Sequence, residues 1–502
     1  MPLIILCQKV QNRGEIGGFK LLQNCYKKVN FLLIFGKMAQ NEYLCATFFP
    51  KFNYNMKKIL LTAMAVFAIS TSALAGGLLT NTNQNAVFLR NPARNATIGI
   101  DGVYTNPAGT AFLEKGLHLS VSWQLASQKR QITSTAPFYG LNTANPGVFT
   151  KDFEGKAFAP VIPSIQAAYV FNDKWSVSAQ FAVGGGGGKC EFDNGLPMFE
   201  KLVYSTIATG VASHPQLPQG SSVASYTLNQ HLTGKQYLYT LQIGGTYKLN
   251  SNVSVFAGVR GVLANCGYEG AITGISADVK LPAAAGGTVI PGAATSPDFV
   301  LNCNQKGYGI QPIIGVDVNL GKLNLAAKYE FRGVINLKNE ATNSANVDQM
   351  FAAYADGARV RSDIPALATV GAEYSFLKNF RAMAGFNYYF DKDAKGSATD
   401  VKDNTWEVNV GAEWDVNKKW TVSLGAQRTQ YSFDEDMQDT YFNISSTALC
   451  LGATYRINDM IKLNAGYMHS FYGNTDINRG NGIVDSYTRK NDVVGVSVDF
   501  KF

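Results

Sequence analysis

The run Tyr237-Leu238-Tyr239-Thr240-Leu241-Gln242-Ile243-Gly244-Gly245-Thr246-Tyr247-Lys248-Leu249 decides the fold. Tyr237, Tyr239, Leu241, Ile243, Tyr247 and Leu249 share one parity, with Thr240, Gln242, Thr246 and Lys248 on the other. Successive side chains of a strand point to opposite faces, so this segment has an oily, aromatic face and a polar one. The same period places Trp406, Val408, Val410, Ala412 and Trp414 opposite Glu407, Asn409, Gly411, Glu413 and Asp415. It returns in the last strand, where Val494, Val496, Val498, Phe500 and Phe502 face one way and Gly495, Ser497, Asp499 and Lys501 the other.

Segments of this kind number fourteen between Leu117 and Phe502, an even count. Short turns such as Asn172-Asp173-Lys174, Asn250-Ser251-Asn252 and Asn458-Asp459-Met460 alternate with longer loops. That asymmetry, with both ends of the domain on the short-turn side, predicts an all-β fold: a 14-stranded antiparallel transmembrane β-barrel of the bacterial outer membrane, with the short turns periplasmic. Polar faces must point inward, because a lipid-facing Lys at midplane costs about 2–4 kcal/mol. Charged residues are 16% of the 502, aromatics 12%, and glycines number 49. No apolar run reaches the ~18 residues a spanning helix needs. Trp175, Trp406, Trp414 and Trp420 are placed beside short turns, as an interfacial girdle that a soluble β-sandwich has no use for.

Ahead of the barrel, residues 56–75 read as a signal peptide: basic Met56-Lys57-Lys58, apolar Ile59 to Ile69, and the cleavage site Ala73-Leu74-Ala75. Residues 1–55 read as an upstream mis-start, and Gly76 as the mature N-terminus. The nine Lys/Arg and two Asp/Glu before Gly76 carry most of the formal +8, leaving 35 basic against 34 acidic residues. A chain so balanced shows no basic face for nucleic acid. Residues 76–116, rich in Asn, Ala and Gly, follow neither helical nor strand period and read as a plug for a lumen too wide for side chains alone. Within them, Asn106-Pro107-Ala108-Gly109 is a turn signal: proline fixes φ and glycine permits reversal.

Asn95-Ala96-Thr97-Ile98-Gly99-Ile100-Asp101-Gly102, then Asn106-Pro107-Ala108-Gly109, then fourteen strands ending in Phe502, resemble the FadL/TodX family of outer-membrane transporters for long-chain fatty acids and other hydrophobic molecules. The resemblance implies capture of the solute at external loops, movement of the plug near Gly76, and sideways exit through a gap at the third strand. Here that strand, expected over 175–184, runs into Gly184, Gly185, Gly186, Gly187 and Gly188, which weaken a ladder and permit bulging. A flexible loop after the strand is the alternative. Met198, Phe199, Leu202 and Val203 in the next loop are candidates for the capture site or for that loop's own small core. A general porin or an adhesin barrel is the alternative function.

Inward charges on later strands, Lys328, Glu330, Arg332, Glu373, Glu407 and Glu413, suit networks tying wall to plug, and Arg332 or Lys248 suits a ligand carboxylate. Cys266 and Cys303 flank the third external loop, either bridged or left as thiols. The Cys and His spacings fit no metal site, no cofactor is implied, and His118, His214, His231 and His469 form no nucleophile motif, so an enzyme is not expected. The expected partners are the hydrophobic ligand, outer-membrane lipid and the barrel assembly machinery, which reads a terminal aromatic such as Phe502. The barrel is expected to be a monomer.

Overall fold

In the computed structural model, residues 80–396, 401–432 and 438–502 are described. Eighteen strands form one sheet: β1 (Gly116–Thr135), β2 (Thr150–Val170), β3 (Trp175–Phe192), β4 (Ser222–Lys248), β5 (Val253–Lys280), β6 (Val289–Thr295), β7 (Phe299–Asn319), β8 (Leu323–Glu330), β9 (Asn336–Ala341), β10 (Arg359–Arg361), β11 (Leu367–Leu377), β12 (Phe380–Tyr389), β13 (Trp406–Asp415), β14 (Trp420–Gln430), β15 (Ser446–Arg456), β16 (Ile461–Tyr472), β17 (Thr475–Gly480) and β18 (Ile483–Lys501). β9 continues β8, β10 leads into β11, and β17 extends β16, while β6 only edges β5 in a loop. The wall therefore has fourteen staves, closed by β1 against β18 from His118↔Lys501 to Thr135↔Val484. Every neighbouring pair is antiparallel, which lets turns of a few residues join the staves at one end.

Those turns repeat one device. Asn172 Oδ1 accepts from the amides of Lys174 and Trp175 at 2.9 and 3.0 Å, and Asn250, Asn417 and Asn458 do the same for the residues two and three places on. An Asx turn of this kind satisfies amides that a two-stranded end leaves orphaned.

Alternation holds around the wall. Val121, Ile165, Leu241, Ile243, Val259, Leu424, Leu451 and Val496 are exposed on the outside, whereas Gln124, Gln166, Gln180, Gln242 and Gln311 are buried inside. Trp175, Trp414, Trp420 and Phe502 ring the short-turn end, as expected. Trp406 does not: it opens β13 at the opposite end and marks the other rim, because ten residues of strand cover about 33 Å. The barrel is thus an outer-membrane-type barrel with an apolar outer band and a polar lumen.

Several staves are longer than the sequence pattern indicated. β2 begins at Thr150 rather than near residue 163, and β4 at Ser222 rather than 235. Pro160 and Pro163 interrupt the pattern in β2, and outside the lipid the alternation loses its apolar partner.

Candidate functional site

Residues 80–113 are largely buried and bond to inward-facing side chains of the staves, among them Gln124, Gln166, Gln242 and Asp317. They contain two short helices, α1 (Ala86–Arg90) and α2 (Gly102–Thr105), and a 3-10 turn from Pro107 to Phe112. The expected plug starts at Gly76, which lies outside the described residues, as does the expected signal peptide at 56–75. Asn85 caps α1 by accepting from Val87 N at 2.9 Å. Asn106 has two roles. Its Oδ1 accepts from Gly109 N at 3.2 Å, capping the turn that Pro107 begins, and its Nδ2 donates to Asp317 of β7 at 2.5 Å. A Cβ on Gly109 would lie 2.5 Å from Asn106 Nδ2, so this hook requires glycine there. Ala108, at the centre of the motif, is fully buried, and its carbonyl accepts from Ser254 at 2.7 Å.

Two charged clusters lock plug to wall. Glu413 of β13 receives Arg90 Nη1 at 2.8 Å and Arg94 Nη1 at 3.0 Å from the plug, and Arg381 of β12. Arg94 also grips Asp101 at 2.7 and 2.9 Å. Across the lumen, Glu330 joins Lys328 (2.7 Å) and Arg260, and Lys328 donates to the carbonyl of Tyr104 at 2.7 Å while lying 4.1 Å above its ring. Buried ions of this sort are expensive to desolvate and cost more to strand, so they fix one seating of the plug. The wall is shaped to receive it: a Cβ on Gly466 would stand 2.7 Å from Arg90 N and 2.9 Å from Ala86 O, so α1 lies directly on strand backbone.

The five glycines stand inside β3, not after it. β2 pairs with β3 from Gly155↔Phe192 to Phe158↔Lys189 and again from Ser164↔Ala182 to Val170↔Ser176, but not between. On its other side β3 stays on β4 with bulges at Val183/Gly185 and Gly186/Gly188. Gly186 and Gly187 have φ of 66° and 113°, a backbone open to glycine at little cost. Opposite them, Pro160 and Pro163 of β2 bring no N–H to a ladder. The result is a gap in the β2–β3 ladder, with residues on both strands poorly suited to pairing there.

Asn81 of the plug occupies the carbonyls this gap releases: its N–H donates to Gly184 O at 2.8 Å, and its Nδ2 to Val183 O and Gly186 O at 3.3 and 3.0 Å. Behind the gap, Phe88, Leu89, Ala126, Ala159, Ile162 and Val183 form a buried apolar cluster, and a second one, of Leu238, Val262, Ala264, Ile335, Leu337 and Ile364, faces inward from β4 onward.

At the long-loop end, a helix α3 (Pro197–Ser213) carries the four candidate capture residues. Phe199 and Val203 are buried in the loop core, while Met198 and Leu202 are partly buried against it. Met198, Phe199 and Leu202 line an apolar slit with Ile272, Phe299, Leu301 and Phe351. Its free space is about 20 Å³, room for one water. Glu200, fully buried on the same helix, accepts from Asn142 (2.7 Å), Lys151 (2.7 Å), Tyr226 (2.9 Å) and Gln230 (3.1 Å) and pins α3 down.

Solved structures share this architecture. A Pseudomonas aeruginosa FadL homologue matches with a TM-score of 0.58 at 16% identity, covering 85% of this chain and all of its own. The chain has the fold of the FadL/TodX-type channels. The Ralstonia pickettii toluene transporter TbuX matches at 0.50 with 13% identity, over 83% of this chain and 98% of its own. A TodX deltaS2S3 mutant monoaromatic hydrocarbon channel matches at 0.52 with 15% identity, over 83% and 99%. A family model described as Gram-negative porin matches residues 268–475. No curated protein matches the sequence.

Within this FadL-type barrel, Lys328, Glu330 and Glu413 lie in the plug network, and Glu407 bonds Asn387, Tyr389 and Thr429 along the wall. Arg332 is outside the lumen, exposed in the segment after β8, where it donates to Asp393 O at 2.6 Å. The strand breaks after Glu330, which ends the inward parity. Lys248 lies 4.5 Å from the Phe112 ring. Cys266 and Cys303 are free, buried thiols rather than a bridge. They belong to different register pairs, Cys266↔Gln305 and Tyr268↔Cys303, so they are diagonal neighbours with Cα atoms about 7–8 Å apart, beyond disulfide reach. Asn81, Ala159, Ile162 and Glu200 were not singled out by the sequence. Glu200 had one signal, a lone carboxylate in an apolar helical run.

Proposed function

We propose that the barrel passes hydrophobic small molecules across an outer membrane, long-chain fatty acids first among them. The solute is captured at the slit under α3, descends between plug and wall, and leaves sideways between β2 and β3. What carries this reading is the coincidence of three features at one place: an interrupted β2–β3 ladder, an apolar cluster immediately inside it, and Asn81 of the plug bonded to the carbonyls it frees. A route for an apolar solute must be dry, and the apolar cluster supplies a dry surface immediately inside the interrupted ladder. The plug argues against a general porin, since residues 80–113 occupy the space an aqueous channel needs. Toluene and other monoaromatics, the solutes named for the solved TbuX and TodX channels, are the competing solute class.

The test is uptake of labelled oleate and labelled toluene by cells lacking their own fatty-acid channel, with the chain expressed from Met56. Wild type should import oleate well above empty vector. Gly186→Val, whose Cβ would collide with the Gln236 carbonyl, and Gly187→Val should lose uptake while the barrel keeps its heat-modifiable migration. Unchanged uptake in both folded variants would defeat the lateral exit; toluene uptake without oleate uptake would reassign the solute.

A further inference from the structure

Along the outer face of the strands that flank the gap, the register sets lysines directly beside one another. Lys490 of β18 is opposite Lys129 of β1, which is opposite Lys156 of β2; Lys189 of β3 is opposite Lys235 of β4. Like charges directly opposite in a sheet repel at a Cβ separation of about 5 Å. Two of the five are neutralised on the same face, Lys129 by Glu154 at 2.9 Å and Lys189 by Glu191. Lys156, Lys235 and Lys490 make no ion pair among the described residues. Glu154, Glu191 and Glu269 lie two places farther along the strands, beyond the lysine row.

The level of the row identifies the partner. Between the register pairs Trp175↔Tyr247 at the short-turn rim and Lys189↔Lys235, β4 spans twelve residues, about 40 Å of strand, or roughly 30 Å along the normal at a tilt near 40°. The apolar band of such a barrel is about 25 Å tall, so the row stands in the headgroup layer beyond it. Below it on β2 and β4 the outer surface is apolar, with Phe158, Val161, Ile165 and Leu241 exposed, while on β18 Asp492 stands two places below Lys490, held by Tyr467 and His469. Cations above and bare hydrocarbon below, on the strands beside the gap, match a phosphorylated glycolipid of the outer leaflet.

We infer that Lys156, Lys235 and Lys490, with Lys129 and Lys189, dock the phosphates of a lipid A-type glycolipid, whose acyl chains lie against Phe158 and Val161 and close the outer edge of the β2–β3 gap to water. This rests on the outer-membrane reading but not on transport, and the test reads no uptake. Full-length barrel purified in detergent is titrated by native mass spectrometry with diphosphorylated lipid A, with the same lipid A after removal of its phosphates, and with inorganic pyrophosphate. Wild type should retain a lipid A adduct at least tenfold more strongly than K156Q/K235Q/K490Q, and at least tenfold more strongly than the dephosphorylated lipid; pyrophosphate should not displace it. The short-turn variant K378Q/K418Q/K419Q should behave as wild type. Equal retention by the first triple variant, or by the dephosphorylated lipid, would overturn the docking; full displacement by pyrophosphate would make it a free-anion site and overturn the lipid. Heat-modifiable migration of each variant verifies the fold.

Discussion

Glu413→Gln should loosen the plug without opening the barrel. Glu413 meets three guanidiniums, but they do not suffer equally from its loss. Arg94 keeps Asp101 at 2.7 Å, and Arg381 keeps Asp415 at 3.0 Å. Arg90 loses its one carboxylate within ion-pair distance among the described residues and retains only the Ser423 hydroxyl. The substitution therefore strands one buried cation of the plug, not three. Breaking a buried pair by removing one partner costs about 3–5 kcal/mol, and the glutamine carbonyl, still an acceptor, places the loss near the lower end. About 3 kcal/mol is roughly a 150-fold rise in the displaced-plug population, at about 1.4 kcal/mol per tenfold. Barrel ladders are untouched. Single-channel conductance in planar bilayers reads the change: rare openings in wild type should become frequent in the variant, at unchanged heat-modifiability. Arg90→Met in the Glu413→Gln background removes the stranded charge and should return the openings toward wild type. A double variant as leaky as the single one, or a single variant as quiet as wild type, would refute the account.

Asn81→Ala removes two side-chain hydrogen bonds, to Val183 O and Gly186 O, each contributing about 1 kcal/mol, and keeps the backbone bond to Gly184 O; it should raise amide exchange at the plug start and at Val183–Gly186 by one to two orders of magnitude while exchange elsewhere in β3 is unchanged; equal exchange would show that Asn81 is no latch. Leu202→Ala with Phe351→Ala enlarges the slit and weakens apolar capture, so uptake should fall several-fold at low solute concentration and recover at saturation, whereas a fall in the maximal rate would place these residues on the passage itself. Cys266 and Cys303 should resist maleimide in the folded protein and react after denaturation without reductant; thiols still blocked after denaturation would indicate a bridge.

The sequence alone determined the stave count, the two faces and the alternation of short turns with long loops, because a period of two is a local property that survives without knowledge of any neighbour. It also marked Asn106-Pro107-Ala108-Gly109 and the glycine run, whose backbone demands are local. Tertiary structure decided everything that depends on which strand lies beside which. The β2–β3 ladder breaks where Pro160 and Pro163, on a different strand, face the glycine run, and the apolar cluster inside it forms because Phe88, Ala126, Ile162 and Val183 meet from four separated segments. Asn81 closes on carbonyls some hundred residues away. Register separates Cys266 from Cys303 and aligns the lysine row beside the gap, and register is set by pairing across the closed barrel, a long-range property that no stretch of the chain carries by itself.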